Sequence, residues 1–551
     1  MPRYQRYDTD GPSEAELQQR WRRFHRSVRA TTSGPMVRLL APLLGDDTVR
    51  RRAVHALLSR RSSAGTASSP AVGDIAIRNV DRLRPPATVP SADALARTAL
   101  VAVDLDDLEG TFRRLDDVLS SPAEWLLLHD GTNEHASAAL AALWPFTSDV
   151  GVVFADEEGV PIPILKSPAV GPHTLLSTNV VGRPALVRIA SLRSCGGVRR
   201  QAGVAFEWDL SLRLYECGAR FRHVSAVLPA LGGATVGEHP DFAVASCEVV
   251  TEALRRRGLE ANVSPGPLTG SVHWRVTPPT WPLVDIIIPT RDRVDLVRQC
   301  VESIVARSTY PAYRITILDN DSAEDETLRY FAEGPFEVVP CPGPFNYAAI
   351  MNRGVAATAA PLVLTLNNDT IVDTPDWLEQ LVEVVLLEGV GLVGCRTTDG
   401  HGIHDHDGVV IAPYPQHLRG GVNWPLGTLY TEVTRDITAV TGAVTLIRRE
   451  AWESVAGMDE TLAVVMNDID LCLRLQNADW SVVVVPSVLL THHVSSSRGR
   501  LDPLADRNRF VRRWDIFGSF VDPYFPEALR LYGSTMVAEP SLDFGASKEN
   551  P

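Results

Sequence analysis

Two hydrophobic periods alternate along most of the chain, and each change of period marks an element. Ala99–Val103 is an unbroken apolar run and predicts a buried strand, a helical pattern follows to about Leu119, and Trp125–Leu128 is a second apolar strand. The same alternation returns downstream in a longer form. Val284–Ile288 predicts a strand ended by Pro289 and Thr290, and an amphipathic helix runs from Val294 to about Ala306. Ile315–Leu318 predicts the next strand, stopping at Asp319-Asn320-Asp321-Ser322, with helices to about Phe331 and over Ala348–Ala357. Leu362–Leu366 predicts a third strand, ending in Asn367-Asn368-Asp369. Strands alternating with helices imply an α/β fold with a mainly parallel sheet, in which ligands bind beyond the carboxyl ends of the strands. Asp292, Asp319 and Asp369 each fall just past such an end, which points to a site there.

The chain also repeats itself. Phe206-Glu207-Trp208-Asp209-Leu210-Ser211-Leu212-Arg213-Leu214 aligns with Asn467-Asp468-Ile469-Asp470-Leu471-Cys472-Leu473-Arg474-Leu475, and at the same offset Val227-Leu228 falls on Val488-Leu489. Upstream, the strand ending in His129-Asp130-Gly131 corresponds to the one ending in Asn368-Asp369-Thr370. Two copies of one α/β unit are therefore expected. The predicted organisation is an arginine-rich tail and linker, partly disordered, over 1–95, a trimmed unit over 96–278, a complete unit over 282–530, and a C-terminal tail over 531–551.

A length of 551 residues fits two domains plus tails, and a formal net charge of -14 argues against nucleic acid as the main partner. The seven cysteines are scattered without metal-site or redox spacing. The N-terminus has no apolar core of a signal peptide, and no uncharged run is long enough to span a bilayer, so a cytoplasmic protein is expected. Arginines dominate from Gln19 to Arg61, interleaved with Trp21, Phe24 and leucines. This stretch reads either as a solvated helix or arm, or as a peripheral contact with anionic lipid at the cytoplasmic face of the inner membrane.

Asn367-Asn368-Asp369 places a carboxylate beside two amides after a buried strand, which suits a hard divalent cation bridging phosphate oxygens. An Asp that starts a turn or caps a helix gives the same pattern. Asp468 and Asp470 open a helix, where the helix dipole alone favours acidic residues.

Taken in order, Pro289-Thr290-Arg291-Asp292-Arg293, Leu318-Asp319-Asn320-Asp321-Ser322, Leu366-Asn367-Asn368-Asp369-Thr370, Thr441-Gly442-Ala443, Asn467-Asp468-Ile469-Asp470-Leu471 and His492-His493-Val494-Ser495-Ser496-Ser497-Arg498-Gly499 resemble a family 2 glycosyltransferase of GT-A fold. The type it is similar to is the rhamnosyltransferase-like and O-antigen or cell-wall polysaccharide enzyme, over about residues 282–530. The resemblance implies a Rossmann-like catalytic unit preceded by a degenerate GT-A-like copy. It implies that Thr290, Asp292, Asn367 and Asn368 line the donor pocket and that Asp319 accepts a hydrogen bond from the pyrimidine or ribose. Asp369 matches the metal-binding Asp of the family's Asp-X-Asp motif, with Asn367 standing where the first Asp usually does. His492 is the implied further ligand, with His493 its neighbouring alternative, and a mixed oxygen and imidazole shell suits Mn²⁺ or Mg²⁺. Asp468 is the implied catalytic base, and Thr441, Gly442 and Asp470 are the implied acceptor side. Arg498 and Arg500 are placed to close over the phosphates, with a solvated surface the alternative for Arg500.

These roles imply an inverting transfer of a sugar, rhamnose or another hexose, from a UDP- or dTDP-sugar to a glycan or lipid-linked acceptor. The first copy has Leu231, Gly232 and Gly233 where the second has His492 onward, so Glu207, Asp209 and Asp130 are expected as structural remnants. A nucleotidyltransferase is disfavoured because no Gly-rich phosphate loop follows the first strand. The alternative from another class is a non-catalytic GT-A-derived binding or scaffold protein.

Overall fold

Both predicted α/β runs form sheets in the computed structural model, which describes residues 3–6, 13–32, 83–85, 88–129, 132–158, 163–228, 239–418, 431–493, 503–532 and 535–538. After an N-terminal helix, α1 (Glu14–Thr32), the first unit runs α2 (Ala92–Arg97), β1 (Thr98–Ala102), α3 (Leu108–Ser120), β2 (Trp125–His129), α4 (Asn133–Leu143) and β3 (Val152–Glu157). It continues through α5 (Pro172–Ser177), β4 (Ala185–Arg188), α6 (Ile189–Ser194), α7 (Phe206–Glu216) and β5 (Phe221–Leu228). A helix, α8 (Phe242–Arg256), and the hairpin β6 (Ala261–Pro265) and β7 (Val272–Val276) lead into the second unit.

That unit begins β8 (Val284–Thr290), α9 (Val294–Arg307), β9 (Tyr313–Asp319), α10 (Asp325–Glu333), β10 (Glu337–Pro340) and α11 (Tyr347–Ala357). Next come β11 (Leu362–Leu366), β12 (Thr370–Val372), α12 (Trp377–Val385) and β13 (Val390–Thr398). The short strands β14 (His404–His406), β15 (Val409–Ile411), β16 (Pro415–His417) and β17 (Arg435–Asp436) precede β18 (Val444–Arg448) and α13 (Arg449–Ser454). The chain closes with α14 (Asn467–Asn477), β19 (Ser481–His492), α15 (Leu504–Arg513) and a small hairpin, β20 (Leu529–Tyr532) and β21 (Thr535–Ala538).

The duplication is written in the sheets. The first is ordered β1-β2-β4-β3-β5, and the second contains β8-β11-β18-β13-β19 in the same order. Strand sense matches step for step: parallel, antiparallel, antiparallel, parallel. Even the irregularity recurs, between Ala155 and Asp156 in β3 and between Cys395 and Arg396 in β13. The second sheet adds β9 and β10 beyond β8, both parallel to it, so the half from β10 to β11 is purely parallel. In the first unit α3 leads directly to β2, and nothing corresponds to β9, α10, β10 and α11.

One sequence correspondence is corrected. Trp125 pairs with Arg188 as Leu362 pairs with Arg448, which puts His129 level with Leu366 rather than with Asn368. Thr132, not Asp130, is then level with Asp369. A slip of two residues keeps every side chain on its own face of the sheet, so hydrophobic pattern alone does not expose it. Asp130 itself lies outside the described residues.

The units share one core rather than meeting at a linker. Trp208 and Trp274 belong to the same buried cluster as Ile286, Trp377 and Val488. Arg275 on β7 is held by Asp376, which precedes α12, and by Glu383 of α12, at 2.8 and 2.5 Å.

Part of the expected tail is also structured. Leu17, Trp21 and Phe24 recur at helical spacing on α1 and seat it on the second unit, with Leu17 fully buried. Trp21 donates to Asn508 and packs with Phe24 against Tyr414 and Phe517. Tyr4 stacks on Phe520 and donates its hydroxyl to Gln476. Most of the remainder of the arginine-rich stretch lies outside the described residues. Among the described residues no helix is long and apolar enough to cross a membrane, and all seven cysteines are free thiols.

Candidate active site

Parallel pairing brings the ends of β8 and β9 together, with Thr290 opposite Asp319. Thr290 is buried and links three strand ends. Its hydroxyl accepts from the Asn368 amide at 2.9 Å and donates to the Asp292 carbonyl at 3.1 Å. Asp292 takes a left-handed backbone, φ 52°, which Asp tolerates better than most residues. One of its carboxylate oxygens accepts from the Ala323 and Glu324 amides at 2.7 and 2.9 Å. Asp319 accepts from the Ser322 amide at 2.9 Å, and Asn320 donates to the carbonyls of Cys341 and Gly343. The strand-end carboxylates therefore order the loops that rim this side, each through one oxygen.

At the next strand end, β12 runs antiparallel to β19, with Thr370 opposite His492. The register sets Asp369 beside His492, and both are buried. Asp369 Oδ1 lies 3.4 Å from His492 Nε2, while the ring's Nδ1 is 3.9 Å from Asp405 Oδ2. Burial works against a charged imidazole here, but the bonds to Asp369 and Asp405 outweigh it and lift His492 to about 9. Two ligands about 2.1 Å from one octahedral cation stand about 3 Å apart, so the Asp369–His492 spacing fits a shared hard cation. Among the described residues no group of three or more His, Cys, Asp or Glu side chains is arranged to hold a metal. His493 falls on the opposite face of the strand, as alternation demands, where it lies close over Gly400. Asn367 is buried, and its amide donates to the Ala443 carbonyl at 2.9 Å, tying this end to β18. Arg498 and Arg500 lie outside the described residues.

The third component is α14. Asp468 stands in its first turn, half-buried, and its Oδ2 accepts the Gly442 amide at 2.8 Å. The Gly442 carbonyl in turn accepts the Tyr347 hydroxyl at 2.9 Å. A Cβ on Gly442 would stand 3.3 Å from Asp468 Cβ and 3.5 Å from the tyrosine oxygen, so a side chain there would press on the Asp468 stem. Thr441 sits one residue before, its amide donating to His406 Nε2 at 3.2 Å.

Asp470 is a correction. It is fully buried, and its carboxylate is taken up by Arg474 at 2.7 Å, Arg513 at 2.8 Å and Trp514 at 3.0 Å. Its full burial keeps it from an acceptor, and its bonds to Arg513 and Trp514 lock α14 to α15. Sequence reading missed Tyr347, His406 and Asp405. The His404-Asp405-His406 run was the one available signal, and it carries no family or periodic pattern.

At the corresponding place in the first unit the charged side chains pair with one another. Glu207, level with Asp468, pairs with Arg183 at 3.0 Å, and both are buried. Asp209 pairs with Arg213 one helical turn on, as Asp470 does with Arg474. Lys166, fully buried, is held by Glu157 at 2.6 Å and by the Val181 carbonyl, and His223 lies 2.8 Å from Asp156. Leu231 to Gly233 lie outside the described residues. The double variant Glu207→Gln, Asp209→Asn is expected to turn over at nearly the parental rate while its Tm falls, because breaking a buried pair costs about 3–5 kcal/mol. Turnover and thermal unfolding of the folded variant check this, and loss of turnover with donor binding retained would make this pocket a working site.

The sheet is mixed rather than mainly parallel, because β18, β12, β14 and β17 join it antiparallel. Its strand ends bring together a carboxylate and an imidazole beside an amide-held aspartate, as fits a GT-A type unit. Residues 285–452 match the family Glycosyl transferase family 2, and the second unit is a domain of that family. The chain is 32% identical over 430 residues to "O-antigen biosynthesis protein RfbC" of Myxococcus xanthus, covering 73% of this chain and 33% of that protein. It is 32% identical over 397 residues to "Uncharacterized protein y4gI" of Sinorhizobium fredii, covering 66% of this chain and 43% of that one. An "N-acetylglucosaminyl-diphospho-decaprenol L-rhamnosyltransferase" of Mycobacterium tuberculosis is 34% identical over 152 residues, 21% of this chain and 49% of its own length. The chain thus spans between a third and half of the length of these relatives. An alignment of 430 residues exceeds the second unit, so the similarity to RfbC reaches into the first.

Proposed function

We propose that the protein is an inverting, metal-dependent glycosyltransferase that moves a sugar from a pyrimidine nucleotide to a glycan or lipid-linked acceptor of the cell envelope. The observation that carries the reading is the convergence of Asp369, His492 and the Gly442-bound Asp468 on the strand ends of a family 2 domain. In a single displacement, the acceptor oxygen bonds to the anomeric carbon as the bond to the diphosphate breaks. Asp468 takes the acceptor's proton, and the nucleoside diphosphate leaves. Gly442 holds one carboxylate oxygen of Asp468 through its amide and so fixes the base against the acceptor wall at Thr441–Gly442. Asp369 and His492 would hold Mn²⁺ or Mg²⁺, which would supply neutralisation of the charge that gathers on the leaving diphosphate. Thr290, Asp292, Asn367 and Asn368 shape the donor pocket, and Asp319 accepts from the base or ribose. The name of the mycobacterial relative supports a polyprenyl-diphosphate-linked acceptor and rhamnose as one candidate sugar. The basic N-terminal helix supports a peripheral contact of the protein with anionic lipid, where such an acceptor resides.

The donor base gives a direct test. A carboxylate at the end of β9 accepts from the N3–H of uracil or thymine, so calorimetry with Mn²⁺ is expected to rank UDP or dTDP above GDP. GDP binding far more tightly than either would overturn the role of Asp319.

A further inference from the structure

We infer that the first unit, whose own charged residues pair with one another, anchors the acceptor wall of the second from outside. The inference rests on reading Thr441–Gly442 as that wall. Its starting point is α5, which meets β17 of the second unit. Asp436 is fully buried, and its Oδ2 accepts the His173 and Thr174 amides at 2.9 and 3.0 Å and the Thr174 hydroxyl at 3.2 Å. Its Oδ1 lies 2.8 Å from His173 Nδ1, its own amide donates to Thr174 Oγ1 at 2.9 Å, and Ser177 donates to the Thr434 carbonyl at 2.6 Å. A whole carboxylate of one unit is therefore spent on the first turn of a helix in the other.

The grip is passed on. Arg435, the next residue, donates to the Asp407 carbonyl and lies 3.8 Å from its carboxylate, which Arg396 also holds at 2.7 Å. His406, adjacent to Asp407, accepts the Gly408 and Thr441 amides on Nε2, each at 3.2 Å. Gly442 follows, with its amide on Asp468. An unbroken set of bonds thus runs from α5 to the residue beside the base. β17 pairs with β19 over only two residues, and the residues that follow it are tied within the second unit through Ile437 to Val482 and Ala439 to Val409, so α5 adds to those ties at the start of the segment. His173, Thr174 and Ser177 are positioning residues in this account, and Gly171 is the position that lets Asp436 in. A Cβ there would stand 2.2 Å from Asp436 Oδ2. Its φ of −75° suits alanine, so Gly171→Ala strikes at this contact and not at the helix.

The test uses the full chain, with Gly171→Ala and, in case that variant folds poorly, the near-isosteric Thr174→Val. Hydrogen exchange is followed amide by amide, and UDP affinity is measured by calorimetry in Mn²⁺. Gly408 and Thr441 are expected to exchange about tenfold faster or more, while β8 and β9 keep their protection and UDP affinity is unchanged. Turnover is expected to fall about tenfold or more at unaltered donor affinity, as a displaced wall misaligns base and acceptor. Parental exchange at Gly408 and Thr441 would overturn the inference, as would acceleration spread equally over β8 and β9. A parental protein that does not bind UDP would sink the donor assignment instead, and the exchange comparison would still decide the anchor.

Discussion

Asp468→Asn is expected to lower turnover by about a hundredfold to ten-thousandfold, the range for loss of a general base. The substitution keeps the shape of the side chain, and an amide oxygen still accepts the Gly442 N–H that holds Oδ2 now. What it removes is the group that takes the acceptor's proton. Donor affinity is expected to stay at the parental level, because Thr290, Asp319, Asp369 and His492 belong to other strand ends. Asp470→Asn is the control two residues along. It breaks the pairing with Arg474 and Arg513 and is expected to lower thermal stability rather than turnover per folded molecule. The deciding data are turnover, donor affinity and unfolding temperature for both variants. Near-parental transfer by Asp468→Asn would overturn the base assignment, and a larger catalytic loss in folded Asp470→Asn would move that role along the helix.

Excess chelator is expected to abolish transfer, and Mn²⁺ or Mg²⁺ to restore it. Asp369 and His492 are the two protein ligands proposed for the cation, so the donor diphosphate is expected to complete much of the shell. Metal and donor are therefore expected to bind cooperatively. Asp369→Asn is expected to weaken UDP binding in Mn²⁺ and turnover together, unlike Asp468→Asn, which separates them. Calorimetric titration of UDP with and without Mn²⁺ reads this coupling directly. Full activity in excess chelator would sink the metal assignment of both residues.

Much of the cleft was legible because its residues follow apolar strands, where a run of Ile, Val or Leu stops at Asp or Asn. Thr290, Asp319 and Asn367–Asp369 announced themselves that way, and the repeated Glu207/Asp468 nonapeptides fall on helices that start in step. The rest depended on contacts that no local pattern encodes. Asp405 reaches His492 only because β14 pairs with β13, which pairs with β19, and a three-residue strand has no period to read. The burial of Asp470 is set by Arg513 and Trp514 on a later helix, and an acidic residue in a first helical turn looks the same with or without them. The seating of α1 was hidden by its arginines, although Leu17, Trp21 and Phe24 lie on one face.

The position of β9 and β10 has a consequence for how such a chain can change. They are the outermost strands on their side of the second sheet, so excising everything between α9 and β11 breaks only the β8–β9 ladder among the pairs of the sheet's other strands. The five strands left behind keep the order, sense and bulge that the first unit displays. What such an excision removes is Asp319 and the loops that Asn320 ties down, that is, the half of the cleft proposed to recognise the base. The shared five-strand order and the proposed base-recognition half therefore lie on separable strands of one sheet.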